Sequence, residues 1–207
     1  MDMSCFAANV QALKRNLGLS LSDFAAECDD LSYSSLNSYI YSGVTPPLPA
    51  ILKICNAHKV SPNTLLSGMF TPTFELDHLR QIEDAITRSS GRESLLNFLA
   101  NTKPSLVGAD FGARLRIIRT EAGYSVNNFA KMCSVVRTTL AGIEANQRYP
   151  GLEVFLSICK NLELSPEYLL APSLTFSTFS NPKMLYLTPR QISFFLKIAP
   201  DIIEQET

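Results

Sequence analysis

The sequence predicts an all-α protein in which one small five-helix unit occurs twice, joined by a helical linker and followed by a C-terminal helix. Three observations predict this. Apolar residues recur at three- and four-residue spacing instead of alternating. Serine, or serine followed by proline, stands where those runs begin, and glycine where the first helix of each unit ends. Residues 6–66 also lie over 111–170 at an offset of 105, falling to 104 after one inserted residue near Asp30. On this reading the chain divides into a first unit (1–69), a linker (70–108), a second unit (109–172) and a tail (173–207).

The repeat is carried by caps, closers and core positions together. Phe6 meets Phe111, Gly18 meets Gly123, Ser20 meets Ser125, and Phe24-Ala25 meets Phe129-Ala130. Cys28 meets Cys133, Leu36 meets Leu140, Pro46 meets Pro150, and Ile54-Cys55 meets Ile158-Cys159. Ser61-Pro62 meets Ser165-Pro166, and both units end in Leu-Leu. The first unit predicts helices over Cys5–Asn16, Leu21–Cys28, Tyr33–Tyr41, Leu48–Ala57 and Pro62–Leu66. In the second they fall over Phe111–Glu121, Val126–Met132, Arg137–Ala145, Leu152–Asn161 and Pro166–Leu170. Gly18 and Gly123 supply the left-handed residue that closes a helix. The Ser-Pro pairs place a capping serine before proline at the first helical position.

Within the second unit, Tyr124–Pro150 reads as two short helices joined by a tight turn at Cys133-Ser134. Ser125 caps the first. Val126, Phe129, Ala130 and Cys133 form the inner face of that helix, and Val135, Leu140 and Ile143 that of the second. Arg137, Thr138, Ala141 and Gly142 are expected to point outward. Ala130 is small enough for two helices to cross steeply.

In the linker, Leu76, Leu79, Ile82 and Ile86 form an apolar stripe, and Leu95, Leu96, Phe98 and Leu99 mark a second helix over Glu93–Ala100. Such a stretch packs against the units and is not a free spacer. In the tail, Thr188-Pro189-Arg190-Gln191 is a capping box. Ile192, Phe195, Leu196 and Ala199 follow on one face, and Pro200 is expected to stop the helix. With Phe194, Ile198, Ile202 and Ile203 nearby, this helix either docks back on the chain or forms a homodimer interface, and the interface is favoured.

Net charge is −1, so no general basic field attracts nucleic acid and any such contact must be local. No apolar run approaches the ~18 residues of a membrane span. No basic stretch precedes an apolar one at the N-terminus, which makes a cytoplasmic protein the expectation. Five cysteines fit a reducing compartment. Cys28/Cys133 and Cys55/Cys159 read as small buried hydrophobes, and Cys5 has no counterpart. No cysteine pair has metal-ligand spacing and the histidines are only His58 and His78, so no metal or cofactor is expected. Neither a phosphate-cradling glycine loop nor a nucleophile–base pairing is visible, so the reading is not an enzyme.

From Arg114 through Leu170, the arginine Arg119, Gly123-x-Ser125, Ala130, Leu140, Ile143-Glu144, Pro150 and the closing Ser-Pro-x-x-Leu-Leu form one pattern. It resembles the lambda-repressor-like, Cro/XRE-type helix-turn-helix family, here in two tandem copies. The resemblance implies a sequence-specific transcriptional regulator that lays its third helix in the major groove of double-stranded DNA. Arg137, Thr138 and Thr139 would start that helix, with arginine able to bridge guanine O6 and N7. Gln147 and Arg148 fall in the loop that follows the phosphates, and Arg119–Glu144 matches a structural arginine–glutamate pair.

The usual glutamine at the start of the second helix is replaced by Val126 (Leu21 in the first copy), with Asn127 or Asn128 as partial substitutes. Ser134 and Asn146 stand where the family has glycines. The first copy departs further. Its turn carries Asp29-Asp30, and its outer face, including Tyr33, Ser34 and Asn37, has no cation. Weak DNA binding or a protein partner is expected there. The alternative function is an antirepressor- or antitoxin-like protein that keeps the fold and binds another regulator.

Overall fold

The computed structural model describes residues 3–70, 74–88 and 90–204, and every regular element among them is helical. Five helices come first: α1 (Ser4–Asn16), α2 (Leu21–Glu27), α3 (Tyr33–Tyr41), α4 (Leu48–His58) and α5 (Pro62–Leu65). Next come α6 (Phe74–Ile86) and α7 (Ser90–Asn101). A second set of five follows: α8 (Phe111–Glu121), α9 (Val126–Met132), α10 (Arg137–Glu144), α11 (Leu152–Leu162) and α12 (Pro166–Leu170). Two 3₁₀ turns, Ala171–Ser173 and Pro182–Tyr186, lead to α13 (Pro189–Glu204).

The two sets share several of the devices that begin and end their helices. Ser20 and Ser125 accept a backbone N–H at the starts of α2 and α9, and Ser61 and Ser165 do so for α5 and α12. Left-handed residues fall at matching places: Gly18 and Gly123, Asp30 and Ser134, Gly43 and Asn146, Lys59 and Glu163. At Asn146 the closure is a Schellman motif, with Gln147 N–H donating to Gly142 O and Asn146 N–H to Ile143 O.

The sets differ in the loop after their third helix, which bears on function. α3 is 9 residues long and α10 is 8, whereas the loop from the left-handed residue to the following proline is shorter in the first set. Gly43-Val44-Thr45 thus stands against Asn146-Gln147-Arg148-Tyr149, and the first loop carries no cation.

Phe6, Phe24, Leu36, Ile51 and Ile54 fill the core of the first set, and Phe111, Leu115, Phe129, Leu140 and Phe155 that of the second. Each buried side chain of this size stabilises by about 1.5–3 kcal/mol. Cys28, Cys55, Cys133 and Cys159 are buried among them. Burial pushes the Cys28 and Cys133 thiols up to about 11, so both stay protonated at neutral pH.

The linker and tail depart from expectation at three points. α13 packs on α6, α7 and α8, and its Ile192 and Phe195 are buried inside the chain. Of the face read as either docking back on the chain or forming a homodimer interface, Ile192 and Phe195 thus dock on the chain itself, while Phe194 stays exposed. The capping box adds polar ties to this apolar packing. Gln191 Oε1 accepts Thr188 N–H at 2.8 Å, while its Nε2 donates to the carbonyls of Leu99, Thr102 and Pro104, tying the start of α13 to the end of α7. Secondly, α13 runs through Pro200 to Glu204, because proline removes one helical hydrogen bond without obliging a docked helix to end. Thirdly, Phe98 is exposed where Leu96 and Leu99 are buried, so the apolar face of α7 is narrower than its sequence. The side chains of Leu76, Ala199, Ile202 and Ile203 lie outside the described residues.

Candidate nucleic-acid interface

α9 and α10 pack against each other and enclose the turn at Cys133-Ser134, where Ser134 takes the left-handed conformation (φ 57°). Arg119 fixes how α8 meets this pair. Its Nε donates to Glu144 Oε1 at 2.5 Å and its Nη2 to Glu144 Oε2 at 3.0 Å, while Nη1 donates to the carbonyl of Tyr124. Both charged side chains are nearly sealed, at 7% and 6% exposure. A planar fork gripping a carboxylate in this way is directional, so the ion pair sets the angle of α10 as well as its distance.

A glycine without any turn signal in its sequence sets that distance. A Cβ on Gly112, in the first turn of α8, would stand 2.5 Å from Ile143 O, 2.8 Å from Glu144 O and 2.9 Å from Asn146 N. The closing turn of α10 thus rests on bare backbone of α8. Its counterpart in α1 is Ala7. Sequence reasoning missed Gly112 because only the fold reveals its neighbours.

The outer surface is polar and positively charged. Arg137 and Thr138 are exposed in the first turn of α10, and Thr139 is half-buried. No side chain caps this helix: Val136 occupies the N-cap position, whereas its counterpart Ser32 accepts Ser35 N–H at 3.1 Å and caps α3. An uncapped helix start carrying an arginine favours an anion, since both helix dipole and guanidinium are positive there. The signal was legible as the change from Ser32 to Val136.

Gly142, expected on the outer face, is buried. The space where its Cβ would sit is approached to 3.3 Å by Gln147 Oε1 and by Arg148 Nε. The glycine therefore lets both loop side chains lie against α10, while both residues remain exposed. Asn127 and Asn128 are exposed in the first turn of α9, one element earlier, with Asn128 N–H on the Ser125 cap. Gln147 and Arg148 are thus brought onto α10, along which Arg137–Thr139 lie.

In the first set, Tyr33 and Tyr41 are 54% and 61% exposed. Ser34 is exposed, but its Oγ lies 3.0 Å from Ser32 Oγ in a cluster of serine hydroxyls around the cap. Asn37 is half-buried, and Asp29 and Asp30 are exposed in the preceding turn. This surface offers hydrogen bonds and aromatic rings, and the turn before it carries two exposed carboxylates.

The structure also holds a nucleophile–base pairing that the sequence did not reveal. Cys28 Sγ lies 3.4 Å from His58 Nε2, and His58 Nδ1 lies 3.3 Å from Glu27 Oε2. Phe24 stacks on the imidazole at 4.1 Å between ring centroids. The thiol is 1% exposed and held protonated, so the cluster packs α2 against α4 and presents no activated nucleophile.

Residues 112–172 match a family model described as a helix-turn-helix domain, and the match spans α8 to α12. This part of the chain is thus similar to helix-turn-helix domains. The match covers one copy, and α1–α5 lie outside it. The chain matches no curated protein and no solved structure. Among the described residues no helix is long and apolar enough to cross a membrane.

Proposed function

We propose that the protein is a sequence-specific DNA-binding transcriptional regulator of the phage-repressor, Cro/XRE type. The reading unit is 109–172, and 1–69 is a degenerate copy joined to it by the helical linker 70–108 and braced by the tail 173–207. The observation that carries this is the uncapped, cation-bearing start of α10 beside Gln147 and Arg148 on a helix gripped from behind by Arg119–Glu144. Arg137 and Thr138 read base edges in the major groove, with Thr139 beside them. Arg148 and Gln147 hold phosphate, and Asn127 and Asn128 extend the contact toward the start of α9. Tyr33, Ser34 and Asn37 offer the first copy a hydrogen-bonding but uncharged contact.

A second reading has its own support. Asp29 and Asp30, the serine-capped α3 and the missing loop cation favour a protein partner for the first copy, as in an antirepressor or antitoxin-like protein.

Selection of duplexes by the purified protein, followed by titration at several salt concentrations, tests the proposal. A defined motif whose affinity falls with salt as expected for a few phosphate contacts supports it. Co-purification of a tight protein partner with no duplex retained at low salt would favour the second reading.

A further inference from the structure

We infer that the two five-helix units meet about a pseudo-two-fold axis between α5 and α12, and that this internal seam takes the place of a subunit interface, so that a single chain presents both α3 and α10 to one asymmetric operator. The DNA half of this inference rests on the function proposed above. The seam itself does not.

α5 packs on α12, and these helices are equivalents: each starts with a capping serine, a proline at the first position and a polar residue at the second. Those second residues, Asn63 and Glu167, touch each other. Glu167 N–H donates to Asn63 Oδ1 at 2.9 Å, and Asn63 Nδ2 donates to Glu167 Oε2 at 3.3 Å. In a two-fold interface a residue meets its own equivalent only close to the axis. The contact thus marks where the inferred axis passes.

The pair also explains why the seam joins two copies within one chain. Glu167 is 3% exposed, and its carboxylate is shared by Ser61 Oγ, Asn63 Nδ2 and Thr178 Oγ1. A homodimer through α12 would set Glu167 against Glu167 on the axis, two buried carboxylates with no cation between them, which costs several kcal/mol. Asn63 replaces one carboxylate with an amide that both donates and accepts. The tail completes the join: Asn56 Nδ2 donates to Ser173 O at 3.0 Å and Asn56 Oδ1 accepts Thr175 N–H at 2.9 Å. The uncharged α3 face then makes the two halves of the bound site unequal.

Sedimentation of the full chain, free and with a selected duplex, is the first arm of the test. The expected results are a free species at the monomer mass of 22.9 kDa and one chain per duplex. A free homodimer, or two chains on a palindromic duplex, would overturn the inference while leaving DNA binding intact. Absence of any duplex complex at low salt would overturn the proposed function and the DNA half of the inference. The seam is decided separately by a denaturation cycle of Asn63→Ala, Glu167→Ala and the double variant. Coupled residues predict a double variant whose change in unfolding constant differs from the product of the singles by roughly tenfold. Additive effects would overturn the seam. Should Glu167→Ala fail to fold, the milder Glu167→Gln paired with Asn63→Ala serves the same cycle across the seam.

Discussion

Replacing Gly112 with alanine adds a single methyl group at the point where α8 carries α10. The added Cβ falls 2.5 Å from Ile143 O, about 0.9 Å short of the 3.4 Å at which ordinary contact begins, and it also meets Glu144 O and Asn146 N below 3.0 Å. All three obstacles are backbone, so no side chain can swing aside and α10 itself must move. Overpacking of this kind costs about 1–3 kcal/mol. Alanine recovers up to ~1 kcal/mol through its higher helix propensity, leaving a net loss of up to about 2 kcal/mol. For a chain of this size that lowers Tm by up to roughly 8 °C. The movement would also strain the fork of Arg119 on Glu144, so DNA affinity should fall by more than the stability loss explains. Urea and thermal unfolding followed by circular dichroism give the first quantity, and titration of the folded variant gives the second. A Gly112→Ala protein as stable as the parent and binding as tightly would refute the claim that bare backbone sets the position of α10.

Glu144→Ala should leave the nearly sealed Arg119 guanidinium without its carboxylate and cost about 3–5 kcal/mol, read as a fall in the urea midpoint, with Glu144→Gln losing less. Stability should also depend on His58. Burial lowers its folded-state pKa below 6.5, so the folded protein binds fewer protons than the unfolded chain. The stability it contributes is fully present above pH 6.5 and is lost as pH falls through the lowered value. Thermal unfolding between pH 7.5 and 5 should therefore show a falling Tm, with a shallower fall in His58→Gln. Equal slopes would contradict the buried neutral imidazole.

The helices were legible in the sequence because their ends are written locally. Ser20, Ser125, Ser61, Ser165 and the Thr188–Gln191 box start helices through contacts spanning three residues or fewer. Contacts between distant residues were not legible. Gly112 matters through Ile143 and Asn146, and Cys28 meets His58 across 30 positions. Gly142 looked like a flat outer surface, but it is space for two side chains that follow it in the loop. The apolar face of α13 called for a partner, yet no pattern in it distinguishes a second chain from the linker helices it packs on. Of the candidate surface, the residue types on α10 were readable. The uncapped start of α10 emerged only by comparing Val136 with Ser32.

The central claim is that the start of α10 reads DNA, and Arg137→Ala tests it most directly. The side chain is exposed at a helix start without a side-chain cap, so its removal should leave the unfolding midpoint within about 0.5 kcal/mol of the parent. Binding to the selected duplex should weaken by about 1–3 kcal/mol, with preference relaxed at one base pair. A variant that binds the same motif with unchanged affinity and discrimination would contradict the account.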